Sequence, residues 1–256
     1  MLLDFSNKNV LITGGSRGIG KACAKLFAEL NANVIITYKT NISKAEQTLS
    51  ELSNKGNKHS YFQLDISSPD NVKHFFNKLI KEYKKTDVLV NNAAVYIEHK
   101  INEVEYEEWL KIWEETISTN LIGISNLCYF ISRQMIKNGG GKIVNISSRG
   151  AFRGEPNHPA YGASKAGLNS LSQSLARALA PYNIIVVAVA PGYVETDMAA
   201  DILNSNKGDQ IKKQSPLNRA ALPEEIARIV AVFAADGFEY TTGGIIDING
   251  ASYLRT

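Results

Sequence analysis

Ser148, Tyr161 and Lys165 have the residue types and the spacing for moving a proton at a polar bond. Tyr161 and Lys165 are four positions apart, so a helix starting near Pro159 would put both on one face. A phenol ordinarily titrates at about 10 and is a sluggish acid or base near neutrality. Bringing it to about 7 requires roughly 4 kcal/mol of preference for the phenolate. An ammonium at about 4 Å, with an effective dielectric near 20, supplies on the order of 4 kcal/mol. The pair is therefore adequate for general acid and base work.

Tyr96 and Lys100 have the same separation, so the spacing alone does not single out a site. Context separates the two pairs. Thirteen residues before Tyr161 stands Ser148, at the end of the strand-like run from Lys142 to Ser147, and an Ala/Leu-rich helical pattern follows. Thirteen residues before Tyr96 stands Tyr83, and no helix pattern follows. Tyr161 is the candidate.

The elements that must position these groups alternate between strand and helix patterns along the chain. Val10 to Thr13 is a β-branched run leading into Gly14-Gly-Ser-Arg-Gly18-Ile-Gly20 and a helix from Lys21 to Leu30. Strand, glycine turn and helix is the arrangement in which backbone N–H groups and a helix N-terminus can hold a pyrophosphate. Gly14, Ser16, Arg17, Gly18, Ile19 and Gly20 are the candidates there. A second strand, Asn33 to Thr37, ends in Tyr38 and Lys39, with no Asp or Glu to take a ribose 2′-hydroxyl. Arg17 and Lys39 would instead flank a 2′-phosphate, which points to NADP(H) ahead of NAD(H).

Further strands are expected at Tyr61–Leu64, Asp87–Val90, Lys142–Ser147, Ile184–Ala190 and Gly243–Ile248. Helices are expected at Ser43–Lys55, Pro69–Tyr83, about Glu107–Lys137 and Pro159–Pro181, with a last one starting at Pro223. The near-unbroken apolar run from Ile184 suits a parallel strand covered on both faces. Thr13, Thr37, Asp65, Asn91, Ser148 and Pro191 all fall at strand ends, where a doubly wound sheet binds its ligand.

With these residues in place, the chain resembles the classical short-chain dehydrogenase/reductase family from first strand to last, and is most similar to 3-oxoacyl-(acyl-carrier-protein) reductases. The resemblance implies an α/β Rossmann-type doubly wound parallel sheet of about seven strands in one domain over residues 1–256. Its cofactor half would span about 1–140 and its catalytic half about 141–256. It implies hydride transfer from NADP(H) to a carbonyl. Tyr161 would act as the acid, Ser148 on the same oxygen, Lys165 on the ribose, and Asn120 on a relay water. It also implies that Asp65 and Ile66 hold the adenine, and that Asn91, within Asn91-Asn92-Ala93-Ala94, braces the sheet and contacts the cofactor alongside Ala93. Pro191, Gly192, Val194 and Thr196 would surround the nicotinamide and pyrophosphate, and Met198 to Pro216 would form the substrate lid. Two helices around Glu107–Lys137 and Pro159–Pro181 imply a homo-oligomer, a dimer or a tetramer. Acyl carrier protein is a doubtful partner, because the slots where relatives place arginines hold Gly139 and Tyr182. Sugar, polyol or steroid substrates, NAD-dependent alcohol oxidation, and a non-catalytic dinucleotide-binding protein are the alternatives.

The bulk numbers agree. With 256 residues, 44% hydrophobic and 21% charged, the chain can bury a large core. A net charge of +3 gives no reason to expect nucleic acid. Cys23 and Cys128 lack redox or metal spacing and read as buried thiols, and no metal is expected. The longest apolar run is far below the roughly 20 residues of a membrane span, and no signal segment precedes Val10, so a cytoplasmic location is expected.

Overall fold

The computed structural model describes residues 3–255. Seven parallel strands form one sheet in the order β3-β2-β1-β4-β5-β6-β7. They are β1 (Asn9–Ile12), β2 (Asn33–Tyr38), β3 (Ser60–Gln63), β4 (Val88–Asn91), β5 (Gly141–Ile146), β6 (Ile184–Pro191) and β7 (Ile245–Ile248). The helices are α1 (Gly18–Glu29), α2 (Ile42–Ser50), α3 (Pro69–Tyr83), α4 (Tyr106–Ile117), α5 (Gly123–Lys137), the short α6 (Gly150–Arg153), α7 (Pro159–Leu179), α8 (Asp197–Leu203), α9 (Gly208–Lys212) and α10 (Pro223–Ala234). The strand order reverses direction between β1 and β4, and a crevice at such a switch point is where this architecture takes its ligand.

Strand alternation sorts the core into two layers. Val10, Ile12, Val34, Ile36, Val88, Val90, Val187 and Val189 face the layer packed by Cys23 and Phe27 of α1 and Ile226 and Val230 of α10. Leu11, Ile35, Leu89, Ile143, Ile184 and Val186 face the other, built from Phe75 and Leu79 of α3, Leu127 and Ile131 of α5, and Leu168 of α7. Every residue of β6 is buried, as expected for a strand covered on both faces. Both cysteines are free and buried, and burial pushes each thiol up to about 12.

Two helix expectations change. α2 stops at Ser50, short of Lys55, because the chain turns at Glu51 and Leu52 and bends again at Lys55 and Gly56, with Gly56 at φ +87°. The single helix expected over Glu107–Lys137 is interrupted by a π-turn at Ser118–Ile122. Among the described residues no helix is long and apolar enough to cross a membrane, and no cluster of metal-ligating side chains occurs.

Candidate active site

A cleft of about 490 Å³ opens at the carboxyl ends of the strands. Its floor at one end is the turn between β1 and α1. Gly14, Ser16, Arg17, Gly18 and Ile19 line it, and Arg17 caps α1 with no side-chain acceptor on the first-turn N–H groups, which leaves them free for an anion. Gly20 has a different task from the one expected. It lies off the cleft, and a Cβ there would stand 2.3 Å from Gly14 O, so the bare backbone lets α1 close against the turn. The Thr13 hydroxyl accepts from Asn92 N and Ala93 N, both at 3.0 Å, and Asn92 Nδ2 donates to Thr13 O and Gly14 O. The ends of β1 and β4 are thereby tied together.

Asn91 braces the sheet as expected but does not reach the cleft. It is the last residue of β4, one further than expected, and its side chain points to the face covered by α5 and α7. Its Nδ2 donates to Asn145 Oδ1 at 2.8 Å and lies 3.3 Å from Cys128 Sγ. Fully buried, it braces β4 against β5 but does not line the cleft. Asn92, Ala93 and Ala94 do.

At the far end the cleft is lined by Arg17, Tyr38, Lys39, Asp65 and Ile66, with Lys44 of α2 beside them. Lys39 Nζ is 3.0 Å from Asp65 Oδ2, a pairing the sequence did not disclose. Burial pushes the Asp65 carboxyl up, but hydrogen bonds from Ser67 and Lys39 outweigh it and hold the group below its ordinary value. Lys44 was not foreseen as a cation of this site. It reaches across to Asp197 of α8 at 2.9 Å.

Ser148, Tyr161 and Lys165 converge at the centre of the cleft. Ser148 follows β5, and its Oγ accepts from Gly150 N at 3.0 Å, which fixes the rotamer. Tyr161 and Lys165 lie on α7, whose first turn starts at Pro159. The expected cation-assisted phenol is not what the geometry gives. Lys165 Nζ donates to Ile146 O at 2.7 Å and stands 5.7 Å from the centroid of the Tyr161 ring. Burial pushes the Tyr161 phenol up to about 12, against the pull of the Ser148 hydroxyl. Burial also brings Lys165 down to about 8.

Asn120 lies in the π-turn and is fully buried, outside the cleft lining. Its Oδ1 accepts from Val95 N at 2.9 Å, and its Nδ2 donates to Val95 O at 2.9 Å and Ser164 Oγ at 3.2 Å. Both amide hydrogens are thus spent on protein, so the side chain docks the segment after β4 onto α7. The side-chain nitrogen has no hydrogen left for a water.

Pro191, Gly192, Val194 and Thr196 form the roof, pinned by the pairing of Val194 with Ala221. Beyond Tyr161 the wall is made by Tyr96, Arg149, Glu155 and Tyr193, with Met198 and Ile202 of α8 above. Glu155 and Arg149 went unrecognised in the sequence, since single charged residues in loops carry no spacing signal. Tyr96, set aside as a proton-transfer residue, is nevertheless in the wall. Its ring lies flat on His158 with centroids 3.7 Å apart and meets Tyr161 edge-on at 4.7 Å. Lys100 does not accompany it and pairs with Glu103.

A parallel sheet with this strand order, a glycine turn at the switch point and a Ser/Tyr/Lys group in the same cleft define a dinucleotide-binding oxidoreductase fold. Residues 8–207 match the family model described as short chain dehydrogenase, and the chain belongs to that family. It is 40% identical over 246 residues to the 3-oxoacyl-(acyl-carrier-protein) reductase FabG of Chlamydia trachomatis, covering 95% of this chain and 96% of that one. It is 36% identical over 248 residues to the reductase of the same name from Staphylococcus epidermidis, covering 97% and 100%. Among solved structures, a dehydrogenase/reductase from Sinorhizobium meliloti superposes with TM-score 0.90 at 27% identity, covering 99% of this chain and 98% of that one. The protein is a short-chain dehydrogenase/reductase, an oxidoreductase.

Proposed function

We propose that this protein reduces the carbonyl group of a small molecule with NADP(H). The observation that carries the reading is the convergence of Ser148, Tyr161 and Lys165 in the cleft whose other end is the glycine turn. The cradle suits a dinucleotide: the first-turn N–H groups of α1 would hold its pyrophosphate, and Asp65 and Ile66 its adenine. Arg17, Lys39 and Lys44, with no acid at the end of β2, supply charge for a 2′-phosphate. When bound, the nicotinamide supplies the hydride to the carbonyl carbon. Tyr161, protonated throughout the neutral range, hands its proton to the alkoxide oxygen that forms, a far stronger base than phenolate. Ser148 donates a hydrogen bond to the same oxygen. Lys165, held by Ile146 O in the same cleft, would meet the nicotinamide ribose, and Asn120 holds the Val95 segment on α7.

The names of the curated relatives make a 3-oxoacyl thioester the first substrate to test, with acyl carrier protein as its presenting partner. A small hydroxylated ketone is the second reading, favoured by the polar wall of Tyr96, Glu155 and Tyr193. A homo-oligomer would form through α4 and α5, which expose Leu110, Tyr129 and, at their junction, Ile122. The test is NADPH oxidation with acetoacetyl thioester and short ketones, comparing wild type with Tyr161→Phe. Loss of the proton donor should lower kcat roughly 100- to 10,000-fold while NADPH binding is retained. Undiminished turnover in the variant would remove the assignment.

A further inference from the structure

The wall beyond Tyr161 contains a carboxylate to which no side chain among the described residues donates a hydrogen bond. Glu155 sits on the loop between α6 and α7, partly buried, and lines the cleft. Its side chain lies across Gly150, where an added Cβ would stand 2.6 Å from Oε1. The two nearby cations are engaged elsewhere. Arg149 Nη2 and Arg153 Nη1 both donate to Gln214 Oε1, at 2.6 and 3.2 Å, and the Arg149 guanidinium faces the Tyr193 ring at 4.9 Å. Among the described residues no side chain hydrogen-bonds the Glu155 carboxylate. Burial pushes its carboxyl up, eased only by the charges of Arg153 and Arg149. The phenols of Tyr96 and Tyr161 also lie within reach of its charge, and Tyr193 lines the same wall. His158, behind Tyr96, is brought down to about 4 by burial and adds no positive charge at neutral pH.

A partly buried carboxylate in a cleft wall to which no described side chain donates keeps its acceptor capacity, and a ligand that brings a donor is favoured there. We propose that Glu155 is a specificity-determining residue whose carboxylate accepts a hydrogen bond from a substrate hydroxyl near the carbonyl that Tyr161 protonates. The preferred substrate class is then a short hydroxylated ketone. The proposal rests on the carbonyl-reductase reading above. A 3-oxoacyl thioester offers only a methylene and a second carbonyl oxygen beside its ketone, so it leaves Glu155 unpaired. Sites with a polar group left unpaired by the wrong substrate discriminate far more strongly than apolar pockets do.

The experiment compares hydroxyacetone with butanone, which replaces the hydroxyl by a methyl of similar size, in wild type, Glu155→Gln and Glu155→Ala. The readout is the ratio of kcat/KM for the two ketones, with NADPH affinity measured by fluorescence alongside. The ratio should favour hydroxyacetone in wild type and fall roughly 10- to 100-fold in the alanine variant, the range for a hydrogen bond to a charged group. It should fall less in the glutamine variant, which keeps an acceptor. Acetoacetyl thioester should turn over faster in the alanine variant than in wild type. An unchanged ratio in a variant that binds NADPH normally would overturn the role of Glu155 alone. If the alanine variant no longer binds NADPH, the isosteric glutamine variant decides by the same ratio. If wild type binds NADPH but reduces neither ketone nor the thioester, the carbonyl-reductase reading falls, and the proposal with it.

Discussion

Replacing Lys165 by Met should change how stability depends on pH, in a way that can be worked out beforehand. The Lys165 side chain is 2% exposed, and burial lowers its titration from 10.5 to about 8. At about 1.4 kcal/mol per pH unit, that fall amounts to about 3 kcal/mol of unfavourable free energy whenever the buried amine is charged. The folded-state value lies below the unfolded one, so between pH 8 and 10.5 the unfolded chain holds more protons and wild-type stability climbs with pH. Below pH 8 both states are protonated and the penalty is present in full. The Met variant lacks this contribution. It does leave Ile146 O without the donor now at 2.7 Å, a loss of about 1–3 kcal/mol that does not vary with pH. The two offset one another near neutrality, where the variant should be about as stable as wild type or slightly more so. From pH 7 to 9.5, wild type should gain about 2 kcal/mol relative to the variant. Urea unfolding of both proteins at the two pH values, at one protein concentration, measures this difference. Parallel pH dependences would refute the account of a charged, burial-strained lysine. Activity should be lost in the variant throughout.

Two further outcomes follow from the cofactor end and from the π-turn. Lys39→Ala removes a half-exposed cation and frees Asp65 to face the phosphate. NADPH affinity should drop roughly tenfold, the equivalent of about 1–2 kcal/mol, with NADH little affected. Fluorescence titration with both coenzymes checks it, and an equal loss for the two would show that Lys39 does not read the 2′-phosphate. Asn120→Ala removes three hydrogen bonds at a buried position and orphans Val95 N–H, which should cost about 2–4 kcal/mol in urea unfolding. A loss under about 1 kcal/mol would mean that the Val95 segment is held by other contacts.

The sheet and its ligand face were legible because the signals were local. Runs such as Ile184–Ala190 declare a covered strand, and Gly14 to Gly20 declares a tight turn before a helix. Misreadings arose where the answer depended on one residue of register or on a partner distant in sequence. Asn91 looked like a cleft residue, but β4 continues through it, and strand alternation turns its side chain inward while Asn92 faces the cleft. Lys39 looked like a free cation, yet its partner Asp65 arrives from the loop that follows β3. The four-residue spacing of Tyr161 and Lys165 was read for their mutual distance, and Ile146 O claims the ammonium instead. The π-turn leaves no mark in a pattern of apolar residues, and the Tyr96–Glu155–Tyr193 wall is assembled from three separate loops.

The amide pair between Asn91 and Asn145 has a consequence for how the strands find one another. Apart from Asn91 and Asn145, the facing stretches of β4 and β5 carry Val88, Leu89, Val90, Ile143 and Val144, interchangeable aliphatics, and parallel strands shifted by two positions keep the same faces toward the same layers. Hydrophobic burial alone would barely distinguish the native alignment from its neighbours. In the native alignment Asn91 lies opposite Asn145 and Leu89 opposite Ile143. A shift of two would set Asn91 against Ile143 and part Asn91 Nδ2 from Asn145 Oδ1, at about 1–3 kcal/mol for each orphaned group. Two polar residues in the least polar part of the molecule therefore act as an indexing mark, which keeps Ser148, just beyond β5, level with the glycine turn.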